Sequence, residues 1–289
     1  MTTGIQSFFH AATSTYSHVV WDTATRAAAI IDPALDFDPA SGWTGTEFAD
    51  SIADFVAKQD LQPVWILETH AHADHLSAAP QLKARFPQAQ VAIGRGIIEV
   101  QRRFGKLFNL GPSFRADGSQ FDRLLVDGET LPLGDLEIRA IATPGHTADS
   151  LAYLINDAVF VGDSIFMPDM GTARCDFPGG DARVLYRSIQ KLFALPDETR
   201  LFMCHDYAPG GREHQYVTTV GEQKARNIHV GGGRTEDEFV RLRTERDATL
   251  PVPKLLFPAV QVNIRAGELP PPEDNGIAYL RIPLNAFGR

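Results

Sequence analysis

Four side chains able to ligate a metal fall within six residues: His70, His72, Asp74 and His75, separated only by Ala71 and Ala73. Imidazole and carboxylate are the usual donors to zinc, iron and manganese. From so short a segment they reach a shared point only if the chain turns tightly, and the two alanines are small enough to let it fold inward. A solvated polar loop is the plainer reading of the same residues. Three more donors favour the metal, each directly after a segment that reads as a strand: His146 in Thr143-Pro-Gly-His-Thr147, Asp163 in Val161-Gly-Asp-Ser164, and His205 in Cys204-His-Asp-Tyr207. Singly, each has an ordinary explanation as a polar strand cap, a Gly-Asp turn pair or a backbone-bonded imidazole. Together, in this order, they argue for one site.

The elements that must position these donors alternate along the chain. Strands are expected at Tyr16–Asp22 and Arg26–Asp32, a turn at Asp32-Pro33, and a helix from about Thr46 to Gln59 with Phe48, Ile52, Phe55 and Val56 on one face. Pro63–Thr69 reads as a buried strand leading into His70. Leu76, Ala79, Leu82 and Phe86 then mark a helix that Pro87 ends. A strand at Gln90–Ile93 and a helix at Ile97–Phe108 follow. Further strands are expected at Leu136–Ala142, Ser150–Ile155, Ala158–Gly162 and Arg200–Cys204, with a helix at Asp181–Leu195 before the last. This interleaving predicts an α/β layered domain with helix-covered sheets. Thr218–Arg246 is charged and helical, and loops and short strands such as Gly276–Ile282 close the chain. We expect one domain over residues 1–289, with a helical and loop extension from about residue 210.

Composition narrows the partners. The 289 residues carry 27 Lys+Arg against 36 Asp+Glu, a formal net charge of -9. That sign opposes general attraction to nucleic acid or to an anionic membrane, so an anionic substrate must be met by a local basic patch. Cys175 and Cys204 are too few and too far apart for a disulfide framework, and read as free thiols. No basic, apolar leader occupies Met1–His10, and no apolar run approaches membrane-spanning length. A cytoplasmic location is the expectation.

The ordered set HxHxDH, TPGHT, GDS and a late His resembles the metallo-β-lactamase superfamily from about Ser17 to Tyr207. The resemblance implies an αββα sandwich, two sheets face to face with helices outside and ligands on loops at one edge. His70, His72 and His146 would line one metal position, Asp74, His75 and His205 the other, and Asp163 would lie between. Ile31-Asp-Pro33, Glu68 to His75, Ala173 to Phe177, Leu185-Tyr186 and His205-Asp-Tyr207 are similar to the persulfide dioxygenases, the ethylmalonic-encephalopathy type of sulfur dioxygenase. In that family two histidines and one aspartate bind a single ferrous ion. Carried onto this chain, these are His70, His146 and Asp163. His72, Asp74, His75 and His205 would then stand behind them or be vestiges of a second metal position. Such a set leaves open positions on Fe(II) for a substrate thiolate and O₂. The implied reaction oxidises glutathione persulfide to sulfite and glutathione. The resemblance also implies Arg174 and Tyr207 near the glutathione moiety, a guanidinium being suited to a carboxylate. A surface salt bridge and a core tyrosine are the plainer readings of these two, and a small buried thiol that of Cys175. A homodimer is expected from the superfamily.

The alternative is a glyoxalase II-type dinuclear metal thioesterase acting on glutathione thioesters, with zinc as its metal. Every ligand it requires is present, and it ranks second only because the Ala173–Phe177 and His205–Tyr207 contexts look more like the dioxygenases. Extra residues around Gly94–Gln120, in Pro209–Gln215 and after Pro258 depart from the compact dioxygenase pattern and bear on substrate choice. A true β-lactamase is disfavoured by the missing export signal. A non-catalytic sensor switching through Cys175 and Cys204 is disfavoured by seven retained ligand-type residues.

Overall fold

The computed structural model describes residues 2–286. The first half runs β1 (Thr3–His10), β2 (Thr15–Asp22), β3 (Ala27–Ile31), β4 (Ala34–Asp38), β5 (Trp43–Gly45), α1 (Glu47–Lys58), β6 (Gln62–Leu67), β7 (Leu76–Ser77), α2 (Ala79–Arg85), β8 (Gln90–Gly94), α3 (Ile97–Leu107) and β9 (Arg123–Leu125). The second runs β10 (Thr130–Leu133), β11 (Leu136–Ala142), β12 (Leu151–Ile155), β13 (Ala158–Phe160), α4 (Ala182–Phe193), β14 (Arg200–Phe202), β15 (Val217–Thr219), α5 (Val220–Arg226), α6 (Glu236–Asp247) and α7 (Leu256–Asn263). One six-stranded sheet has the order β1-β2-β3-β6-β8-β9, antiparallel up to β3 and parallel beyond it. The other has the order β10-β11-β12-β13-β14-β15, antiparallel except between β13 and β14.

Side-chain alternation decides the layers. On β3, Ala28 and Ile30 face a core shared with α1, α2, α3 and α7, while Ala29 and Ile31 face the opposite sheet. Both sets are fully buried, as a central strand covered on two sides requires. Val20, Leu67 and Ala92 from the first sheet meet Ile138, Tyr153 and Phe160 from the second in the middle layer. α4 lays Leu185, Ile189 and Leu192 on the outer face of the second sheet, where α6 adds Phe239. The Asp181 carboxylate caps α4 by accepting from the Arg183 and Val184 N–H groups. The result is the αββα sandwich.

Four segments differ from the sequence expectation. The helix expected from Leu76 begins at Ala79, because Leu76 and Ser77 pair with Ala34 and Leu35 of β4 instead. Thr218–Arg246 divides into β15, α5 and α6, broken where Gly232 and Gly233 turn the chain with φ of +64° and +75°. Gly276–Ile282 forms no strand, and is held through Arg281, whose backbone N–H and C=O bond the Gln261 side chain of α7. α7 itself was not anticipated. It buries residues all round rather than on one stripe, so it shows no helical period.

His18 on β2 illustrates how the core constrains titration. Its Nε2–H donates to the Met203 carbonyl at 3.1 Å and its Nδ1 accepts from Ser7 Oγ at 2.8 Å. Burial pushes its pKa down to about 4 from the ordinary 6.5, against the raising effects of the Met203 carbonyl and Asp32. The unfolded chain protonates this ring first as pH falls. The stability it contributes is therefore present above pH 6.5 and lost as pH falls through about 4. The loss amounts to about 3 kcal/mol. Denaturant unfolding at about pH 7 and about pH 4.5 should show a smaller difference for His18→Gln than for the unmodified chain. An equal difference would mean that the ring does not titrate on unfolding.

Candidate metal centre

All seven donors stand on loops that leave one edge of the sandwich. His70, His72, Asp74 and His75 follow β6, His146 lies between β11 and β12, Asp163 follows β13 and His205 follows β14. The loop after β6 is fixed by buried acids. Asp32 Oδ1 accepts from the Thr69 N–H at 2.7 Å and from His72 Nε2 at 3.0 Å, and Asp32 Oδ2 accepts from Thr69 Oγ1 at 2.9 Å. Asp149 Oδ2 accepts from the Ala71 N–H at 2.8 Å. At the His146 turn, Gly145 has φ +133°, and a Cβ there would lie 2.3 Å from the Leu185 nitrogen. Only glycine lets α4 abut this turn so closely.

Each imidazole has one nitrogen tied to the protein. His146 Nδ1 donates to the Arg174 carbonyl at 2.7 Å, and His205 Nδ1 faces the Ser14 carbonyl at 3.3 Å. His70 Nδ1 meets Thr69 Oγ1 at 3.1 Å, and His75 Nδ1 meets Thr15 Oγ1 at 3.4 Å. The opposite nitrogens of His70, His75 and His205, together with His72 Nδ1, Asp74 Oδ2 and Asp163 Oδ1, are buried without hydrogen-bond partners. His205 Nε2 and Asp74 Oδ2 lie 3.1 Å apart, an ion pair when the ring is protonated; the convergence of so many unbonded polar atoms is what a metal site needs and what an apolar core would not tolerate. With His146 added, these residues supply two groups whose members lie within 4.8 Å of one another: His70, His146 and Asp163, and His72, Asp74, His75 and His205. Asp163 faces both. Its Oδ2 lies 3.9 Å from His70 Nε2 and 3.8 Å from His146 Nε2, and its Oδ1 lies 3.4 Å from His205 Nε2.

Burial pushes the His70, His72 and His146 pKa values down, the last to about 4, so these rings are neutral near pH 7 with free lone pairs. Burial pushes Asp163 up to about 7, with His205 opposing and Asp74 and Asp32 adding to the rise. Burial opposes charge on His205, but Asp74 and Asp163 outweigh it and raise its pKa. The metal-free site therefore holds a proton that metal must displace. Zinc affinity is expected to fall as pH drops below about 7, by up to about tenfold per pH unit for each proton displaced. Titration calorimetry in buffers of different ionisation enthalpy reads that proton directly. A heat independent of buffer would contradict it.

A cavity of about 420 Å³ opens over the donors, with Asp74, His146 and Asp163 in its floor. Phe166, Met170, Phe177 and Leu250 give it apolar walls. Arg174 and Tyr207, the two residues expected beside the substrate, both line it. Tyr207 stacks on His205 with ring centroids 5.9 Å apart. The Arg174 guanidinium is engaged by both Asp176 oxygens, at 2.6 and 2.7 Å, and by the Pro251 carbonyl at 2.6 Å. A substrate carboxylate would have to compete with Asp176. Cys175 is a free buried thiol whose pKa burial and Asp247 push up, and burial does the same to Cys204. Neither is primed for thiolate chemistry.

Sequence reasoning missed the residues that hold these ligands. Asp32 looked like half of a turn, and Asp149 and Asn263 carried no spacing signal. Arg243 and Asp247, an i,i+4 pair on α6 that is buried beside the cavity, could have been found from that spacing. Among the described residues no helix is long and apolar enough to cross a membrane.

Comparison with known proteins agrees with this geometry. A probable metallo-hydrolase of Burkholderia pseudomallei is 56% identical, over 98% of this chain and 99% of its own length. Glyoxylase B2 of Dictyostelium discoideum is 49% identical over 97% of each chain. The crystal structure of ETHE1 from Myxococcus xanthus superposes with a TM-score of 0.73 at 33% identity, covering 92% of this chain and 100% of that one. The metallo-β-lactamase superfamily profile matches residues 12–205, which span the whole donor set. On the matched residues, the sandwich and the metal-ready edge, the chain belongs to the metallo-β-lactamase superfamily.

Proposed function

We propose that the chain is a dinuclear metal hydrolase of the glyoxalase II type, acting on the thioester of a glutathione-like thiol. The observation that carries this reading is Asp163, which turns one carboxylate oxygen toward His70 and His146 and the other toward His205. A carboxylate split between two complete donor sets is suited to bridging two metals. Bound there, two metals would supply a Lewis acid for the thioester carbonyl and lower the pKa of water. The chain does the rest. Asp32 holds His72 with Nδ1 toward the centre, the Arg174 carbonyl holds His146 with Nε2 toward it, and the apolar walls keep bulk water from the substrate. The names of the relatives at 49% and 56% identity support hydrolysis over oxidation, and so reverse the order in which the sequence alone ranks the two reactions.

The second reading is persulfide oxidation at one iron held by His70, His146 and Asp163. It is favoured by His70, His146 and Asp163 forming a three-donor group in which all ligand atoms lie within 4.8 Å of one another, and by the 33% identity to the Myxococcus ETHE1 structure. Two assays on one preparation separate the readings. Zinc-loaded protein should hydrolyse S-lactoylglutathione, and iron-loaded protein should consume no O₂ with glutathione persulfide. O₂ uptake matched by sulfite, without thioester hydrolysis, would overturn the first reading in favour of the second.

A further inference from the structure

The ligand loop between β6 and β7 is held from three directions, by Asp32, by Asp149 and by a residue almost two hundred positions away. Asn263, the last residue of α7, is 4% exposed. Its Nδ2 donates to the His72 carbonyl at 2.9 Å and to the His75 carbonyl at 2.8 Å, and its Oδ1 accepts from the Ser77 N–H at 2.8 Å. A side-chain amide offers two N–H donors and one oxygen, and each is used here. The two carbonyls belong to ligand residues. They are drawn toward α7 while His72 Nδ1 and His75 Nε2 stay bare and close to the donors of Asp74 and His205.

α7 is well seated for this task. The Ile264 carbonyl just beyond it accepts from Gln101 Nε2 of α3 at 2.9 Å. At Gly267, where φ is +87°, a Cβ would lie 2.9 Å from the Ser77 carbonyl oxygen and 2.5 Å from Pro80 Cδ, so the segment after α7 rests directly on the end of the ligand loop. Asn263 lies beyond residues 12–205, the span matched by the superfamily profile. Asparagine is also the only residue of this length that can bond both carbonyls and the N–H. Aspartate has the acceptor without the donors, and alanine would leave two carbonyls and one N–H unpaired in the interior.

We propose that Asn263 is a positioning residue for the metal centre: it sets the course of the His72–Ser77 backbone, and so aims His72, Asp74 and His75 at the centre. The inference rests on there being a metal centre and not on which reaction occurs there.

The test uses the full chain in three forms, unmodified, Asn263→Asp and Gln261→Ala. The last alters the same helix on the side that holds Arg281. Zinc affinity is measured by competition with a chromophoric chelator, geometry by the absorption spectrum of the cobalt-loaded protein, and stability by the melting midpoint of the metal-free chain. Asn263→Asp should weaken zinc binding at the centre about 10–100-fold and change the cobalt spectrum. Gln261→Ala should move only the melting midpoint. If Asn263→Asp lowered the midpoint but left zinc affinity within about twofold and the cobalt spectrum unchanged, Asn263 would be a structural residue and the proposal wrong. Should Asn263→Asp fail to fold, Asn263→Gln, whose longer stem carries the amide out of register with the His72 and His75 carbonyls and the Ser77 N–H, is measured in its place with the same expected loss. A single zinc per unmodified chain would count against the two-metal reading of function, and the Asn263 effect would then be read on that one equivalent.

Discussion

Asp163→Ala should leave a folded chain that holds at most one metal tightly. Its turnover should fall by well over the roughly 10–100-fold that follows loss of a residue that merely orients a ligand. The reason is its place between the two donor sets: removing it takes a ligand from each. Replacing Asp163 with asparagine should affect the metal-free protein in the opposite sense. Burial raises the Asp163 pKa to about 7 from 3.8, so the unfolded chain releases this proton before the folded one does. Stability therefore falls as pH rises through that window, and an Asp163→Asn chain, which has nothing to ionise there, escapes the loss. Without metal, the variant should melt higher than the unmodified protein near pH 8, while with zinc the order should invert. A variant that melted lower both with and without zinc would show that Asp163 supports the fold and not the metal.

Arg243→Ala should destabilise the protein by about 3–5 kcal/mol, because it strands a buried carboxylate. Arg243 is 1% exposed and Asp247 5%. The Arg243 Nη2 lies 2.6 Å from Asp247 Oδ1, and its Nη1 donates to the Thr172 carbonyl at 2.9 Å. Asp247 Oδ2 in turn accepts from the Cys175 N–H at 2.9 Å. The pair thus fixes the 172–175 backbone, and the Arg174 carbonyl within it holds His146. Activity should fall with stability, since the loss reaches a ligand through two hydrogen bonds. The double replacement Arg243→Met with Asp247→Leu should cost less than the two single ones added together, as removing both charges leaves neither unpaired. Denaturant unfolding of the four proteins measures this, and simple additivity would mean that the two side chains are not coupled.

What the sequence made legible follows from the reach of its patterns. The donors at His70 to His75 stand out because they are dense, and His146, Asp163 and His205 because each follows a strand that alternation reveals. The layers were legible for the same reason, since β3 and β6 are apolar on both faces as covered strands must be. α7 was not, because a helix buried all round has no stripe to read. Asn263 was invisible from its neighbours, as the loop it holds lies far away along the chain. For Arg174 the sequence left a substrate clamp, implied by the resemblance, beside a surface salt bridge; Asp176 two residues on engages it at the wall of the cavity. The choice of reaction was the least legible, because the same seven donors serve either one metal or two.

Metal content and thioester hydrolysis, followed together as the metal-free chain is titrated with zinc, test the central claim most directly. Two zinc ions should bind per chain, and hydrolysis of S-lactoylglutathione should rise with the second of them. Saturation at one metal, with no thioester hydrolysis at any loading and O₂ consumed with glutathione persulfide once iron replaces zinc, would contradict it.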